Sequence, residues 1–140
     1  MRYVDANVLV SYIANDDAEM FEAAQALFLR VDRGEERIAL LDVTVAEVVY
    51  VLSSRRLYNL PPREFANRLA AMLSHRGIQM TQKRRCLDAL ELYATHKTLN
   101  FGDAILAATV LSEPETELYS FDKGFDRVPG VVRLEPAAAR

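Results

Sequence analysis

Met1-Arg2-Tyr3-Val4-Asp5-Ala6-Asn7-Val8-Leu9-Val10 is the stretch whose reading sets the fold. Tyr3 and Val4 precede a single carboxylate, Asp5, and Val8, Leu9 and Val10 follow it. A short β-branched run broken by Asp-x-Asn reads as a buried strand that turns into a helix at its carboxyl end. In open α/β sheets that end is where sites form. Three more acids stand in similarly apolar surroundings, each where an element starts or ends: Glu47 in Thr44-Val-Ala-Glu-Val-Val-Tyr-Val-Leu52, Asp103 in Phe101-Gly-Asp-Ala-Ile-Leu-Ala-Ala108, and Asp122 in Leu118-Tyr-Ser-Phe-Asp122. A parallel sheet would let all four converge on one pocket.

Outward from that strand, segments of two periods alternate. A short helix is expected over 7–13, and a second, opened by Asn15-Asp16-Asp17, carries the apolar stripe Met20, Phe21, Ala24, Leu27, Phe28, Val31 before Gly34 stops it. A strand over 37–41 leads to an apolar helix over 44–56. Pro61-Pro62 opens a helix through Phe65, Leu69, Met72 and Leu73 that closes near Gly77. Then follow a strand over 78–80, helices over 83–95 and 103–112, and strands over 117–121 and 131–134, with residues 136–140 as a frayed tail. Strands alternating with helices imply a parallel sheet with right-handed crossovers. The expected architecture is therefore one α/β domain over 1–140, three layers deep, with a central parallel sheet of 4–5 strands and helices on both faces.

With 140 residues, 51% hydrophobic and 26% charged, the chain has the composition of an ordinary soluble domain. No apolar run approaches the ~20 residues needed to span a bilayer, and Asp5 interrupts any signal-like apolar start. One cysteine, Cys86, excludes an internal disulfide framework and suits a reducing, cytoplasmic setting; on its helix it reads as core. The net charge of −3 argues at first against a nucleic-acid partner. Setting the four site acids aside leaves 16 acidic against 17 basic side chains, a nearly neutral surface with basic clusters at Arg55-Arg56, Lys83-Arg84-Arg85, and Lys123 with Arg127.

Each acid also has a structural reading. Thr44-x-x-Glu47 fits a capping box, Asp103 suits the first turn of a helix, and Asp122 suits a turn. Asp5 resists this treatment, because a carboxylate inside or just past a buried strand is costly unless paired or bound to a cation. Acids sharing one pocket repel, which calls for a divalent ion, and oxygen ligands suit Mg²⁺ or Mn²⁺. Asn7 and Ser120 are accessory candidates or local turn formers. His75 and His96 have no partner at ligand spacing and read as surface.

Together these residues resemble the PIN domain family and, within it, the small ribonuclease toxins of the VapC type. The resemblance rests on Val4-Asp-Ala-Asn-Val-Leu9, Thr44-x-x-Glu47, Asp103-Ala-Ile-Leu-Ala-Ala108 and Ser120-Phe-Asp-Lys-Gly-Phe125, in that order and spacing. It implies that Asp5, Glu47, Asp103 and Asp122 hold Mg²⁺ or Mn²⁺ for hydrolysis of RNA phosphodiesters, with Asp126 a possible fifth acid. It also implies a homodimer and a small antitoxin that occludes the site. Two rival readings are an Asp-nucleophile phosphatase, whose second acid is replaced here by Asn7, and a non-catalytic RNA- or protein-binding module on the same fold.

Overall fold

The computed structural model describes residues 1–137. Five strands and six helices follow in the order β1 (Arg2–Tyr3), α1 (Ala6–Ala14), α2 (Ala18–Asp32), β2 (Ile38–Leu40), α3 (Asp42–Ser53), α4 (Pro62–Leu73), β3 (Ile78–Met80), α5 (Lys83–Thr95), α6 (Phe101–Leu111), β4 (Glu117–Tyr119), a 3₁₀ turn over Lys123–Arg127, and β5 (Val132–Leu134). All the pairings are parallel. They form two ladders, β1-β2-β3 and β4-β5, rather than one continuous sheet. Of the expected frayed tail, residues 136–137 are exposed coil and 138–140 lie outside the described residues.

Side chains alternate across a strand, so the register sorts the first ladder into two faces. Ile38, Leu40 and Ile78 share the face toward the helices and are almost wholly buried. Tyr3, Ala39 and Gln79 lie in register on the other, where Tyr3 and Gln79 are exposed. A cavity of about 520 Å³, lined in part by Tyr3, Ala39 and Gln79, opens on that side.

Local chemistry explains the element boundaries. Asp5 caps α1 and Asp17 caps α2, their carboxylates accepting the amides of Ala6 at 2.7 Å and Met20 at 3.0 Å. Asn15 ends α1 in the left-handed conformation, at φ 51°. Tyr12 joins the two helices by stacking on Phe21, with ring centroids 5.7 Å apart. Pro62 begins α4, where a missing N–H costs nothing. α3 begins at Asp42, two residues before the expected Thr44, so Thr44 lies inside the helix and no Thr44–Glu47 capping box forms.

Two apolar clusters meet at α6. Phe65, Tyr93 and Phe101 chain α4, α5 and α6 together inside the main core, with centroids 6.1 and 6.0 Å apart. Ala104 and Ala108 face that core, while Ala107 and Val110 face a smaller one built on Leu118, Phe125 and Val128. The small side chains of α6 let both clusters approach its backbone. Cys86 is buried in the main core, and burial pushes its thiol up to about 11, with the charge of Asp42 adding to the effect. It is therefore an inert core residue.

His75 lies at the surface, with 34% of its side chain exposed, but it is not idle. Its Nε2 lies 3.1 Å from Asp32 Oδ1, and its Nδ1 accepts the Gly77 amide at 3.1 Å. This turn locks the end of α4 against α2 and the start of β2, whose Ile38 amide donates to Gly77 O at 3.0 Å.

Candidate functional site

Strand β1 is only two residues long, so Asp5 falls just beyond it, and its carboxylate is exposed rather than buried. The cost of burial is therefore not what Asp5 answers to. Its Oδ1 caps α1, and Oδ2 accepts a long 3.4 Å bond from Asn7 Nδ2. Asn7 thus helps to orient the free oxygen of Asp5.

Glu47 is exposed in the middle of α3 and makes no side-chain hydrogen bond or ion pair among the described residues. Asp103 is half-buried in the first turn of α6, where it forms a reciprocal cap with Asn100. The Asp103 amide donates to Asn100 Oδ1 at 2.8 Å, and the Asn100 amide donates to Asp103 Oδ2 at 3.4 Å. The sequence reading began this helix at Asp103 and missed Asn100. The signal was present as Asn100-x-x-Asp103, a cap three residues before an acid.

Asp122 follows β4 and is exposed. Its Oδ1 accepts the Gly124 amide at 2.8 Å, and its own amide donates to Ser120 Oγ at 2.9 Å. Ser120 therefore sets the turn that presents Asp122. Asp126 is drawn away, because Arg133 grips both its oxygens at 2.9 and 3.3 Å. Arg133 also donates to Ser120 O at 3.0 Å and to Glu135 at 2.9 Å, so it fastens β5 to the Asp122 turn. Hydrogen bonding from Arg133 holds the Asp126 carboxyl below the usual carboxylate range.

A cleft of about 540 Å³ opens between α3 and the start of α6; none of the four candidate acids lines it, but Glu47 and Asp103 are next in sequence to residues that do. Ala46 and Tyr50 line it on either side of Glu47, and Asn100 and Gly102 line it next to Asp103. Thr98 also lines it, and Thr98 Oγ1 and Asp122 Oδ1 both crowd the space beside Gly124, where a Cβ would meet them at 3.4 and 3.0 Å. Asp5 has no sequence neighbour among the lining residues.

Among the described residues, no group of three or more His, Cys, Asp or Glu side chains stands close enough to share an ion. The donor chemistry nevertheless fits a hard divalent cation. Asp5, Asp103 and Asp122 each give one oxygen to a backbone amide and keep the other free of backbone partners, while Glu47 keeps both.

The basic clusters divide by function. Lys83 donates to the carbonyls of His75 and Ile78, Arg84 pairs with Asp88 at 3.3 Å, and Arg85 donates to Ser112 Oγ at 3.1 Å. That triplet is structural. Arg55, Arg56, Lys97, Lys123 and Arg127 are exposed and carry no ion pair among the described residues.

A family model described as PIN domain matches residues 2–131. The chain is 28% identical over 137 residues to a protein named VapC ribonuclease Mb1869c from Mycobacterium bovis. It matches ribonuclease VapC13 from Mycobacterium tuberculosis to the same degree. Both matches cover 96% of this chain and 99% of the relative. Asp5, Asn7, Glu47, Asp103, Ser120, Asp122 and Asp126 all fall inside the family match.

Proposed function

The chain belongs to the PIN domain family, and on that premise we propose that it is a Mg²⁺- or Mn²⁺-dependent endoribonuclease that hydrolyses RNA phosphodiester bonds. The observation that supports this reading is that Asp5, Asp103 and Asp122 each keep one carboxylate oxygen free of backbone partners and Glu47 keeps both, at the positions the family match covers. The names of its ribonuclease relatives support the substrate class.

Asp5, Glu47, Asp103 and Asp122 would hold the ion. When bound, a divalent cation supplies charge that acidifies water and stabilises a departing oxyanion. The remaining work falls to the chain. Asn100 fixes the Asp103 backbone, Ser120 sets the Asp122 turn, and Asn7 orients Asp5. His75 is committed to Asp32 and Gly77, so it is not free to act as a base.

The resemblance further supports a toxin role, with a small antitoxin that covers the candidate acids, and a homodimer acting in the cytoplasm. Among the described residues, no helix is long and apolar enough to cross a membrane. The test is cleavage of single-stranded RNA in Mn²⁺ by wild type and Asp103→Asn. Wild type should cut and the variant should not, with unchanged circular dichroism. A folded Asp103→Asn protein that cuts at the wild-type rate would dismiss the site. Expression of the free protein should arrest growth, and unaltered growth and RNA ends would remove the toxin assignment alone.

A further inference from the structure

We infer that the cleft between α3 and the start of α6 is a seat for one nucleotide of single-stranded RNA, with Tyr50 stacking on its base and Lys97 taking the adjacent phosphate; this rests on the endoribonuclease reading above. Tyr50 lies three residues after Glu47, on the same helical face, and the residue is 72% exposed. Its chain neighbours Val48 and Val49 are buried, so the exposure belongs to this face of α3 and not to the whole helix.

Opposite, Lys97 lies in the link between α5 and α6 and has no carboxylate partner among the described residues. Between the two sides, Val49, Leu99 and Phe101 give the cleft an apolar floor. An apolar floor, one open aromatic face and one unpaired cation form the pattern by which proteins hold single strands: stacking is open to any base, and the cation follows the backbone.

The same pairing recurs beside another candidate acid. Phe121, also 72% exposed, and the unpaired Lys123 flank Asp122. An aromatic and a cation thus accompany Asp122 in sequence as Tyr50 and Lys97 accompany the cleft, which a protein-binding apolar patch would not require. The volume of about 540 Å³ suits a nucleotide-sized ligand.

The test uses fluorescence anisotropy of a labelled single-stranded RNA in Mn²⁺, on full chains that also carry Asp103→Asn to prevent cutting. Tyr50→Ala should weaken binding by about 10- to 100-fold without changing its salt dependence, and Tyr50→Phe should bind as the parent does. Lys97→Gln should reduce the slope of log K against log salt by about 0.7, the loss of one phosphate contact. Parent-like binding by both Tyr50→Ala and Lys97→Gln would overturn the seat and leave the ribonuclease reading intact. Failure of the wild-type chain to cut RNA would instead sink the underlying reading. A Tyr50→Ala protein that binds RNA normally but changes its elution volume would overturn the seat in favour of a contact between copies.

Discussion

Asn100 and Asp103 hold each other's backbone amides across the first turn of α6, at 2.8 and 3.4 Å. The two bonds are unequal. Asn100 does most of the capping, and Asp103 keeps its carboxylate only loosely engaged. A strong reciprocal cap would tie up the acid, whereas this one fixes its backbone and leaves an oxygen to spare.

Replacing Asn100 by Ala should therefore have two effects. Loss of the cap costs about 1 kcal/mol, which lowers the melting temperature by roughly 3–6 °C. RNA cleavage should fall as well, because the Asp103 turn frays. Asn100→Asp, an equally good cap, should restore the melting temperature. A variant with full stability loss and unchanged cleavage would show that the cap does not position Asp103.

Asp122 and Asp126 are four residues apart, yet the structure gives them different work. Arg133 holds the Asp126 carboxyl below the usual range, first by hydrogen bonding and then by its charge. A folded pKa below the unfolded value of ~3.9 contributes stability above that value, and the contribution is lost as pH falls through the folded pKa. Asp126→Asn should thus lower the urea midpoint at neutral pH while RNA cleavage persists. The gap from wild type should close as pH drops below about 4. Asp122→Asn should show the converse, with cleavage lost and little change in midpoint. A gap for Asp126→Asn that is independent of pH would rule out the ion pair as its source.

The sequence carried the helices further than the site. Pro61-Pro62 and the stripe Phe65, Leu69, Met72, Leu73 placed α4, and the span 83–95 expected for α5 is the one observed, because caps and periodicity are local. α3 was misplaced by two residues because Thr44 offered a cap that the chain does not use; Leu41 stands at that position with no side-chain bond. The structural role of Lys83-Arg84-Arg85 was invisible for a different reason. Ser112 and the carbonyl of His75 become partners of this triplet only when α5 has packed against α6 and the end of α4. The same holds for Asp126, whose partner Arg133 comes from β5. Asp5 was taken as buried because its apolar flanks suggested a longer strand. β1 stops at Tyr3, and the flanking Val8, Leu9 and Val10 belong to α1.

Gly77 is a position where no side chain fits. A Cβ there would meet Val31 Cγ1 at 2.7 Å and the Val31 carbonyl oxygen at 3.2 Å, and the second of these is backbone that cannot rotate away. Gly77→Ala should push α2 away from the start of β3 and lower stability by about 1–3 kcal/mol, the usual cost of overpacking. Urea denaturation measures it. Gly34→Ala makes a useful contrast: its Cβ would meet nothing within 4 Å, so any cost there comes from its φ of +75°. An unchanged midpoint for Gly77→Ala would mean that α2 is free to move.

Divalent ions should stabilise the folded chain through the four candidate acids. Binding adds RT ln(1 + [L]/Kd), ~2.7 kcal/mol at a hundredfold excess over Kd, which for a chain of this length raises the melting temperature by several degrees. Asp5→Asn is the informative variant. Asn caps a helix as well as Asp does, so α1 keeps its N-cap, and the exposed position demands no repacking. The variant should melt near wild type in chelator and gain much less in excess Mn²⁺. Asp126→Asn provides the control, since Arg133 already occupies that carboxylate; it should melt lower in chelator yet gain the full wild-type increment from Mn²⁺. If wild type and Asp5→Asn gain equally, Asp5 holds no ion. If Asp126→Asn alone loses the increment, the ion sits with the acids near β5, and the division of labour between Asp122 and Asp126 is reversed.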